Sequence, residues 1–294
     1  MAITLNSLCV DCLLYKHNAN ARTLGSDEQA YAFSKAMMKL FLDAAPEDNS
    51  AIIGKRINDL YMQHYGMPKD RFQEEKKRSN TFVLERLDFV RNQIKCAEDP
   101  VLTALQYAIL GNYIDFSALG KSVSFETLEQ MLAKPEKFAF DSENYSSFCD
   151  DLQKAKTMLI VTDNAGEIGF DMLLAEILTE KYPHLQITFC VRGMPALNDA
   201  TREDAAFFNL PFALVDSGSD IGGMALQYLG EEIKQTMAQS DIILAKGMGN
   251  TETLYGSGYP IYYAFLVKCP RFQQVFGKPH MTPMFVKEKF PNHT

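Results

Sequence analysis

The stretch TMLIVTDNAGEIGFDMLLAEIL, residues 157–178, carries the strongest fold signal, because a strand-length apolar run leads directly into a helix-like segment. Helix-like stretches also separate the next runs of branched and aromatic residues, and strands that alternate with helices form parallel sheets with right-handed crossovers. These further runs are QITFCVR (186–192), FALVDSG (212–218), DIILAKG (241–247) and YYAFLVKC (262–269). The pattern predicts an α/β fold with a Rossmann-like three-layer α/β/α parallel sheet over residues 151–294. MTPMFVK (281–287) is a candidate sixth strand at the sheet edge, although Pro283 lies inside it.

The first half of the chain has the pattern of helices, so we expect an all-helical domain over residues 1–150. Ser26 and Gln29 have the spacing of a capping box, and apolar residues then recur at helical intervals. Gly66 is suited to the left-handed position that ends a helix. The expected helices begin near Ser26, Asn49, Pro68 and Thr103.

Length and composition exclude several classes of protein. The 294 residues are 47% hydrophobic, which is enough apolar material for a core and excludes a disordered or collagen-like chain. The net charge of -8 repels a phosphodiester backbone, so no nucleic-acid partner is expected. No apolar run approaches the ~18 residues of a membrane span, and the N-terminus lacks the features of a signal peptide. We therefore expect a cytoplasmic protein without a membrane partner, whose six cysteines are mostly buried thiols.

Polar side chains follow all five main predicted strands. In open parallel sheets, ligands bind beyond the carboxyl ends of the strands, near the point where strand order reverses. We therefore expect one rim that carries both acidic and basic groups. Its candidate residues are Asp163, Asn164 and Glu167 after the first strand, Asn198 and Asp199 after the second, Ser217 after the third, Lys246, Gly247 and Asn250 at the fourth, and Lys268 at the fifth.

The rim residues suit a metal ion and a phosphate. Asp163, Asn164 and Asp199 supply hard oxygen ligands for magnesium, manganese or a similar divalent ion. Lys246 would neutralise a phosphate oxygen. The alternatives are that the aspartates cap the following helices and that Lys246 is a surface ammonium. The loop 217–223 is either a plain turn or a set of backbone N–H groups aimed at an anion.

Other phosphate and cysteine sites are less well supported. The chain has no P-loop, and no Gly-x-Gly-x-x-Gly follows the first strand. An aspartyl-phosphate hydrolase would place a second aspartate at position 165, where this chain has alanine, so Asp163 is better interpreted as a metal ligand than as a nucleophile. Cys9 and Cys12 form a Cys-x-x-Cys pair that fits a metal half-site, a redox pair or simple helix packing, and we favour packing.

Several motifs resemble those of a known family. They are CVDC, LGNYIDF, DNAGEIGFDMLLAEIL, RGMPALNDATREDA, SGSDIGG, AKGMGNTETL and VKCP, which extend from Cys9 to about Gly277. The chain is similar to the domain-of-unknown-function-89 family of metal-dependent damage-control phosphatases, in its stand-alone prokaryotic branch, where the Cys pair is characteristic.

The resemblance implies a helical N-terminal domain packed on a Rossmann-like domain. It also implies a divalent metal (Mn, Mg, Co or Ni) on the residues that match Asp163, Asn164 and Asp199, with the equivalent of Lys246 on phosphate. Asn112 and Asp115, in LGNYIDF, match a segment near the family site, although an Asn and an Asp after a helix also suit its C-terminal turn.

The leading hypothesis is therefore a metal-dependent phosphomonoester hydrolase, acting on sugar phosphates or damaged phosphorylated metabolites by metal-assisted attack of water. The first alternative is an S-adenosylmethionine-dependent carboxyl methyltransferase, which would need an acidic residue where this chain has Arg192. The second is a binding protein for metal and phosphate ligands without catalysis. The sequence does not select a substrate, a metal or an oligomeric state.

Overall fold

The computed structural model describes residues 3–288, apart from the side chain of Lys121. No helix in this range is long and apolar enough to cross a membrane. The helices in the first half of the chain are α1 (Ser7–Leu24), α2 (Asp27–Leu42), α3 (Ser50–Tyr65), α4 (Gln73–Leu84), α5 (Leu87–Cys96), α6 (Pro100–Gly111), α7 (Phe125–Leu132) and α8 (Ser142–Leu152). Those in the second half are α9 (Glu167–Lys181), α10 (Arg202–Phe207), α11 (Glu231–Gln239), α12 (Gly247–Leu254) and α13 (Pro270–Phe276).

The second half contains the predicted sheet. Its strands are β1 (Thr157–Val161), β2 (Gln186–Val191), β3 (Ala213–Asp216), β4 (Ile242–Lys246), β5 (Ile261–Leu266) and β6 (Pro283–Lys287). They lie in the order β3-β2-β1-β4-β5-β6; β1 to β5 are parallel, and β6 runs antiparallel to β5. The predicted parallel sheet and its edge strand are confirmed. Pro283 is tolerated because it is the first residue of that edge strand.

Alternating residues of the strands build two apolar layers. Met158 and Ile160 of β1 face one core, in which α6 and α9 pack, whereas Leu159 and Val161 face the other, in which α11 and α12 pack. Both faces of the sheet are therefore covered by helices, which confirms the three-layer α/β/α prediction. Strand order reverses between β1 and β4, so the carboxyl ends of these two strands flank the expected binding crevice.

The helical half does not have one core of its own. Helices α1 to α3 enclose a small core around Phe33 and Tyr61, whereas α5, α6 and α8 share the larger core with the sheet. Phe148 of α8 packs against Tyr262 of β5 and Phe285 of β6, with ring centroids 5.0 and 5.3 Å apart. Because this core crosses residues 150 and 151, the division into domains at that point stays a prediction.

Two of the predicted helix boundaries are confirmed, and one predicted helix is wrong. Ser26 and Gln29 form the predicted capping box, and Gly66 ends α3 with a φ of 63°. The single helix expected to begin near Pro68 was wrong: the chain forms two helices, α4 from Gln73 and α5 from Leu87. The break occurs at Arg86, whose N–H bonds to the carbonyl three residues earlier (2.9 Å) rather than four.

Phe148 tests whether the two halves unfold together. Phe148→Ala removes a ring that is 0% exposed, and it should lower the free energy of unfolding by about 3–5 kcal/mol in a single urea transition. The control is Phe89→Ala on α5, where the ring is 49% exposed and a much smaller loss is expected. Two separate transitions, only one of them shifted, would show instead that the halves unfold independently.

Candidate functional site

The loops that follow the neighbouring strands β1 and β2 are joined by backbone hydrogen bonds. Residues 163–165, which follow β1, pair with residues 198–200, which follow β2, through two antiparallel bonds of 2.7 and 2.9 Å. Leu197, at the entrance of the second loop, has a φ of 52°, a conformation that costs a residue with a side chain about 1–2 kcal/mol. The pairing brings together the three predicted metal ligands Asp163, Asn164 and Asp199.

Asp163 has one carboxylate oxygen held by protein and one left free. Oδ2 accepts hydrogen bonds from the amides of Asn112 and Asn164, each at 2.8 Å. Oδ1 has no hydrogen-bond partner in the part of the chain that the structure describes, and Asp163 borders a cavity. Burial raises the pKa of Asp163 well above its ordinary value, and the nearby charges of Asp199 and Glu167 raise it further. A bound cation would stabilise the ionised form.

Asp199 is held by a buried arginine. Arg192 donates from Nε to Asp199 Oδ2 (2.6 Å) and from Nη2 to Asn250 Oδ1 (2.8 Å). Asn250 in turn donates to the carbonyls of Thr162 and Lys246, at 2.9 and 2.6 Å. Burial raises the pKa of Asp199 to about 6, with Arg192 opposing the shift. Asp199 Oδ1 makes no hydrogen bond among the described residues, so it is available to a cation.

Lys246 lies beneath the site rather than at its surface, and this corrects the expected contact with phosphate. Its Nζ donates to the carboxylates of Glu167 (2.7 Å) and Asp171 (2.6 Å) and to the carbonyl of Ala108 (2.9 Å). These bonds use all three donors of the ammonium. Burial alone would lower the pKa of Lys246, but Asp171 and Glu167 outweigh burial and raise it. The two acids are four residues apart on one face of α9, and they turn the lysine inward.

Lys268 is a basic group that does border the cavity. Its Nζ donates to Asp115 Oδ2 at 2.8 Å, and Asp115 Oδ1 accepts from the hydroxyl of Ser117 and the N–H of Ala118. Burial would raise the pKa of Asp115, but Lys268 and these hydrogen bonds lower it. Only one of the three Lys268 donors has a protein partner among the described residues, and the side chain is buried beside Asp115.

The other predicted site residues support the site from behind. Asn112 ends α6 and also accepts a hydrogen bond from the N–H of Leu266 (3.1 Å), so it acts both as a helix terminus and as a support for Asp163. Among the described residues, the hydroxyl of Ser217 bonds only within the loops after β2 and β3. The cavity is lined by the predicted residues Asp115, Asp163, Asn164, Asp199 and Lys268, and not by Asn112, Glu167, Asn198, Ser217, Lys246, Gly247 or Asn250.

Gly247 lets β4 approach Asp163. It has a φ of 77°, and a Cβ atom at this position would lie 1.9 Å from Asp163 Oδ2. No other residue type fits without moving the carboxylate, so Gly247 supports the site through its backbone conformation.

The cavity has a volume of about 820 Å³ and lies between the sheet edge and the helical half. The helical wall includes basic groups that the strand pattern did not reveal: Lys16 on α1, Arg71 just before α4, and Arg78 on α4. The sequence could have indicated the part of this wall that α1 forms, because Cys12, Lys16 and Asn20 are four residues apart and share one helix face. Arg71 has no such signal in the sequence.

The Cys-x-x-Cys pair lies in the first turns of α1. Cys9 is buried, and Cys12 is exposed and borders the cavity. Burial raises the pKa of the Cys9 thiol. The favoured packing role of this pair stays a prediction.

The donor set fits a divalent cation. Five buried carboxylates meet three buried cations at this edge of the sheet. The carboxylates belong to Asp115, Asp163, Glu167, Asp171 and Asp199, and the cations to Arg192, Lys246 and Lys268. Among the described residues the carboxylates of this group exceed its cations by two, and Asp163 is the member with no ion-pair partner. Within residues 3–288 no three His, Cys, Asp or Glu side chains converge as metal ligands, so the amide of Asn164 would have to complete the set.

Comparison with known proteins places the chain among phosphatases. A family model described as the damage-control phosphatase ARMT1-like domain matches residues 5–282. An uncharacterized protein of Methanocaldococcus jannaschii is 30% identical over 94% of this chain and 93% of its own length. A damage-control phosphatase of Archaeoglobus fulgidus is 28% identical, over 90% and 92%. The crystal structure of a DUF89 family protein from Pyrococcus horikoshii has a TM-score of 0.82 and 26% identity, covering 97% of this chain and 99% of that one. The resemblance found in the sequence is confirmed.

Gly247→Ala tests the close approach at Asp163. We expect it to destabilise the protein by clearly more than Gly258→Ala, as measured by urea unfolding. The control glycine has a similar φ of 85° but nothing within 4 Å of its Cβ position, so it reports only the backbone cost, about 1–2 kcal/mol. Equal losses for the two variants would contradict the contact with Asp163.

Lys246→Met tests the buried position of the ammonium. Removing it leaves Glu167 and Asp171 buried without a cation, which should cost about 3–5 kcal/mol in unfolding experiments. The control is Lys234→Met, because Lys234 pairs with Glu231 on the surface and such pairs contribute about 0–1 kcal/mol. If the Lys246 ammonium were exposed to solvent, Lys246→Met and Lys234→Met would both lower the free energy of unfolding by a similar, small amount.

Proposed function

The chain belongs to the damage-control phosphatase ARMT1-like family, and from that premise we propose that it hydrolyses phosphate esters of small, damaged metabolites with a divalent metal ion. The observation that carries the proposal is the pair of buried carboxylates, Asp163 and Asp199, each with a free oxygen at one cavity. Two relatives, from Archaeoglobus fulgidus and Pyrococcus horikoshii, are named damage-control phosphatases.

Asp163, Asn164 and Asp199 would hold the metal. When bound, a divalent ion supplies Lewis acidity at the phosphoryl group and lowers the pKa of a coordinated water. The hydrogen bonds from Asn112 and Asn164 fix Asp163 in one orientation. Arg192 does the same for Asp199 through a 2.6 Å bond. Supporting groups of this kind keep ligand oxygens aimed at a cation.

The reaction is a displacement at phosphorus. A bond forms between a water oxygen and phosphorus as that water loses a proton to the solvent, the bond from phosphorus to the ester oxygen breaks, and the alcohol leaves with a proton gained from the solvent. Lys268 lies at the cavity with donors to spare, so it is the cation that would offset negative charge on the phosphoryl oxygens. Lys246 acts as a positioning residue, because it neutralises Glu167, which accepts hydrogen bonds from Asn112 and Asn164.

The methyltransferase alternative finds no support at the end of β2. The ribose of a nucleoside cofactor would need a carboxylate there. The side chain at this position is Arg192, which is fully buried and bonded to Asp199 and Asn250.

Asp163→Asn tests the proposal with an isosteric change. Loss of the carboxylate should reduce hydrolysis of p-nitrophenyl phosphate by roughly 100-fold or more in the presence of manganese, cobalt, nickel or magnesium. The control is Asp241→Asn: that carboxylate caps the opposite edge of the sheet through the N–H groups of Lys156 and Thr157, and its loss should leave the rate unchanged.

A wild-type protein that releases no phosphate with any of these metals, from p-nitrophenyl phosphate or fructose 1-phosphate, would refute the phosphatase proposal. Tight binding of such esters without turnover would indicate the non-catalytic alternative.

A further inference from the structure

The helical wall of the cavity carries positive charge that the protein does not neutralise. We call Lys16, Arg71 and Arg78 the cationic wall. None of the three lies within ion-pair distance of a carboxylate among the described residues. By contrast, the buried cations of the sheet edge, Arg192, Lys246 and Lys268, each contact a carboxylate. Glu75 also lines the cavity without pairing, so it reduces the net charge of this side but does not cancel it.

Arg71 is held by aromatic faces instead of by an acid. Its guanidinium carbon lies 4.4 Å from the centroid of the Tyr61 ring and 5.1 Å from that of Phe72. Such stacking positions a guanidinium but leaves its in-plane N–H donors for another partner. The Nε of Arg71 is buried and has no hydrogen-bond partner in the described part of the chain. A buried donor without a partner costs free energy unless a ligand satisfies it.

The fold fixes this arrangement before any ligand arrives. Tyr61 is fully buried, and its hydroxyl is hydrogen-bonded to His17 Nδ1 (3.1 Å) and to the amide of Asn20 (3.0 Å). Burial lowers the pKa of His17 to about 3, so the imidazole is neutral at physiological pH and adds no charge to the wall. The ring that supports Arg71 is therefore immobilised by the α1 to α3 core.

Lys16 and Arg71 are like-charged neighbours. Burial lowers the pKa of Lys16, with Asp115 opposing the shift and Arg71 adding to it. The Lys16 ammonium donates to the carbonyl of Ser117, a neutral acceptor. Two unpaired cations close together on a cavity wall attract an anion.

We propose that the cationic wall binds a second anionic group of the substrate. The preferred substrates would be phosphate esters that carry a carboxylate or a further phosphate at the end remote from the phosphoryl group that is cleaved. The inference rests on the proposed function, because it seats the reacting phosphate at Asp163 and Asp199 and the second anion across the cavity. A volume of about 820 Å³ accommodates both ends of such a molecule.

Two matched substrate pairs test the proposal and separate the two sources of the anion. The first pair is 3-phosphoglycerate and glycerol 3-phosphate, which differ in a carboxylate; the second is fructose 1,6-bisphosphate and fructose 1-phosphate, which differ in a phosphate. We expect wild-type kcat/KM to be roughly 10-fold or more higher for the member with the second anion in at least one pair. Arg71→Gln should remove most of that preference, mainly through a higher KM.

The control variant is Arg86→Gln. Arg86 is also stacked on a ring, with its guanidinium 3.7 Å from the Phe82 centroid, but it is paired with Glu129 and lies outside the cavity lining. It should leave the substrate preference unchanged. Lys16→Gln serves as a second wall variant if Arg71→Gln melts at a much lower temperature than wild type.

Calorimetric binding of 3-phosphoglycerate and fructose 1,6-bisphosphate in EDTA separates failure of this inference from failure of the phosphatase proposal. Affinity for at least one of them that falls roughly 10-fold in Arg71→Gln, without turnover of any ester, would support the anion site and refute the phosphatase. Turnover with no preference for a second anion, or with the same preference in wild type and both wall variants, would overturn the anion site and leave the phosphatase standing.

Discussion

Burial of charge at the carboxyl edge of the sheet is the constraint on which the site depends. Ionised groups out of water are costly unless each has a partner, and here three cations are distributed among five carboxylates. Arg192 pairs with Asp199, Lys268 pairs with Asp115, and Lys246 pairs with both Glu167 and Asp171. Asp163 has no ion-pair partner among the described residues, and its free oxygen borders the same cavity as that of Asp199, where a divalent cation would reduce the cost of burial.

The topology of the sheet explains why these buried carboxylates lie close together. Strand order reverses between β1 and β4, so the two following loops diverge and leave a crevice. The loop after β1 is closed from one side by its hydrogen bonds to the loop after β2, and from the other by Gly247, which has no side chain to displace Asp163. The floor of the site is thus made by backbone geometry, and the side chains of α9 and β4 only support it from below.

The distinction between backbone geometry and side-chain packing decides what could be predicted from the sequence. The strands follow from short apolar runs of branched and aromatic residues, and the loops after them from the positions of Asp, Asn and Gly, so the sheet and the grouping of Asp163 with Asp199 were predictable. The inward orientation of the Lys246 side chain was not predictable. It depends on Glu167 and Asp171, which lie near β4 only because α9 packs against the sheet. The position of Arg71 depends on the packing of α1 to α3 against the loop before α4, and no pattern of residue spacing along the chain predicts such packing.

The two sides of the cavity belong to different cores. The carboxylates rest on the cores of the sheet, whereas Arg71 rests on Tyr61 in the separate core of α1 to α3. The two bodies meet at specific points, such as the hydrogen bonds of 2.5 and 2.6 Å from Ser50 on α3 to the buried Glu252 on α12. Under the two proposals made above, substitutions in the small helical core would alter the binding of the remote anion, while Asp163 and Asp199 would keep their positions. If the reacting phosphate binds at the sheet edge and the second anion at the cationic wall, a change in the wall alone would change the substrate and leave the reacting edge intact.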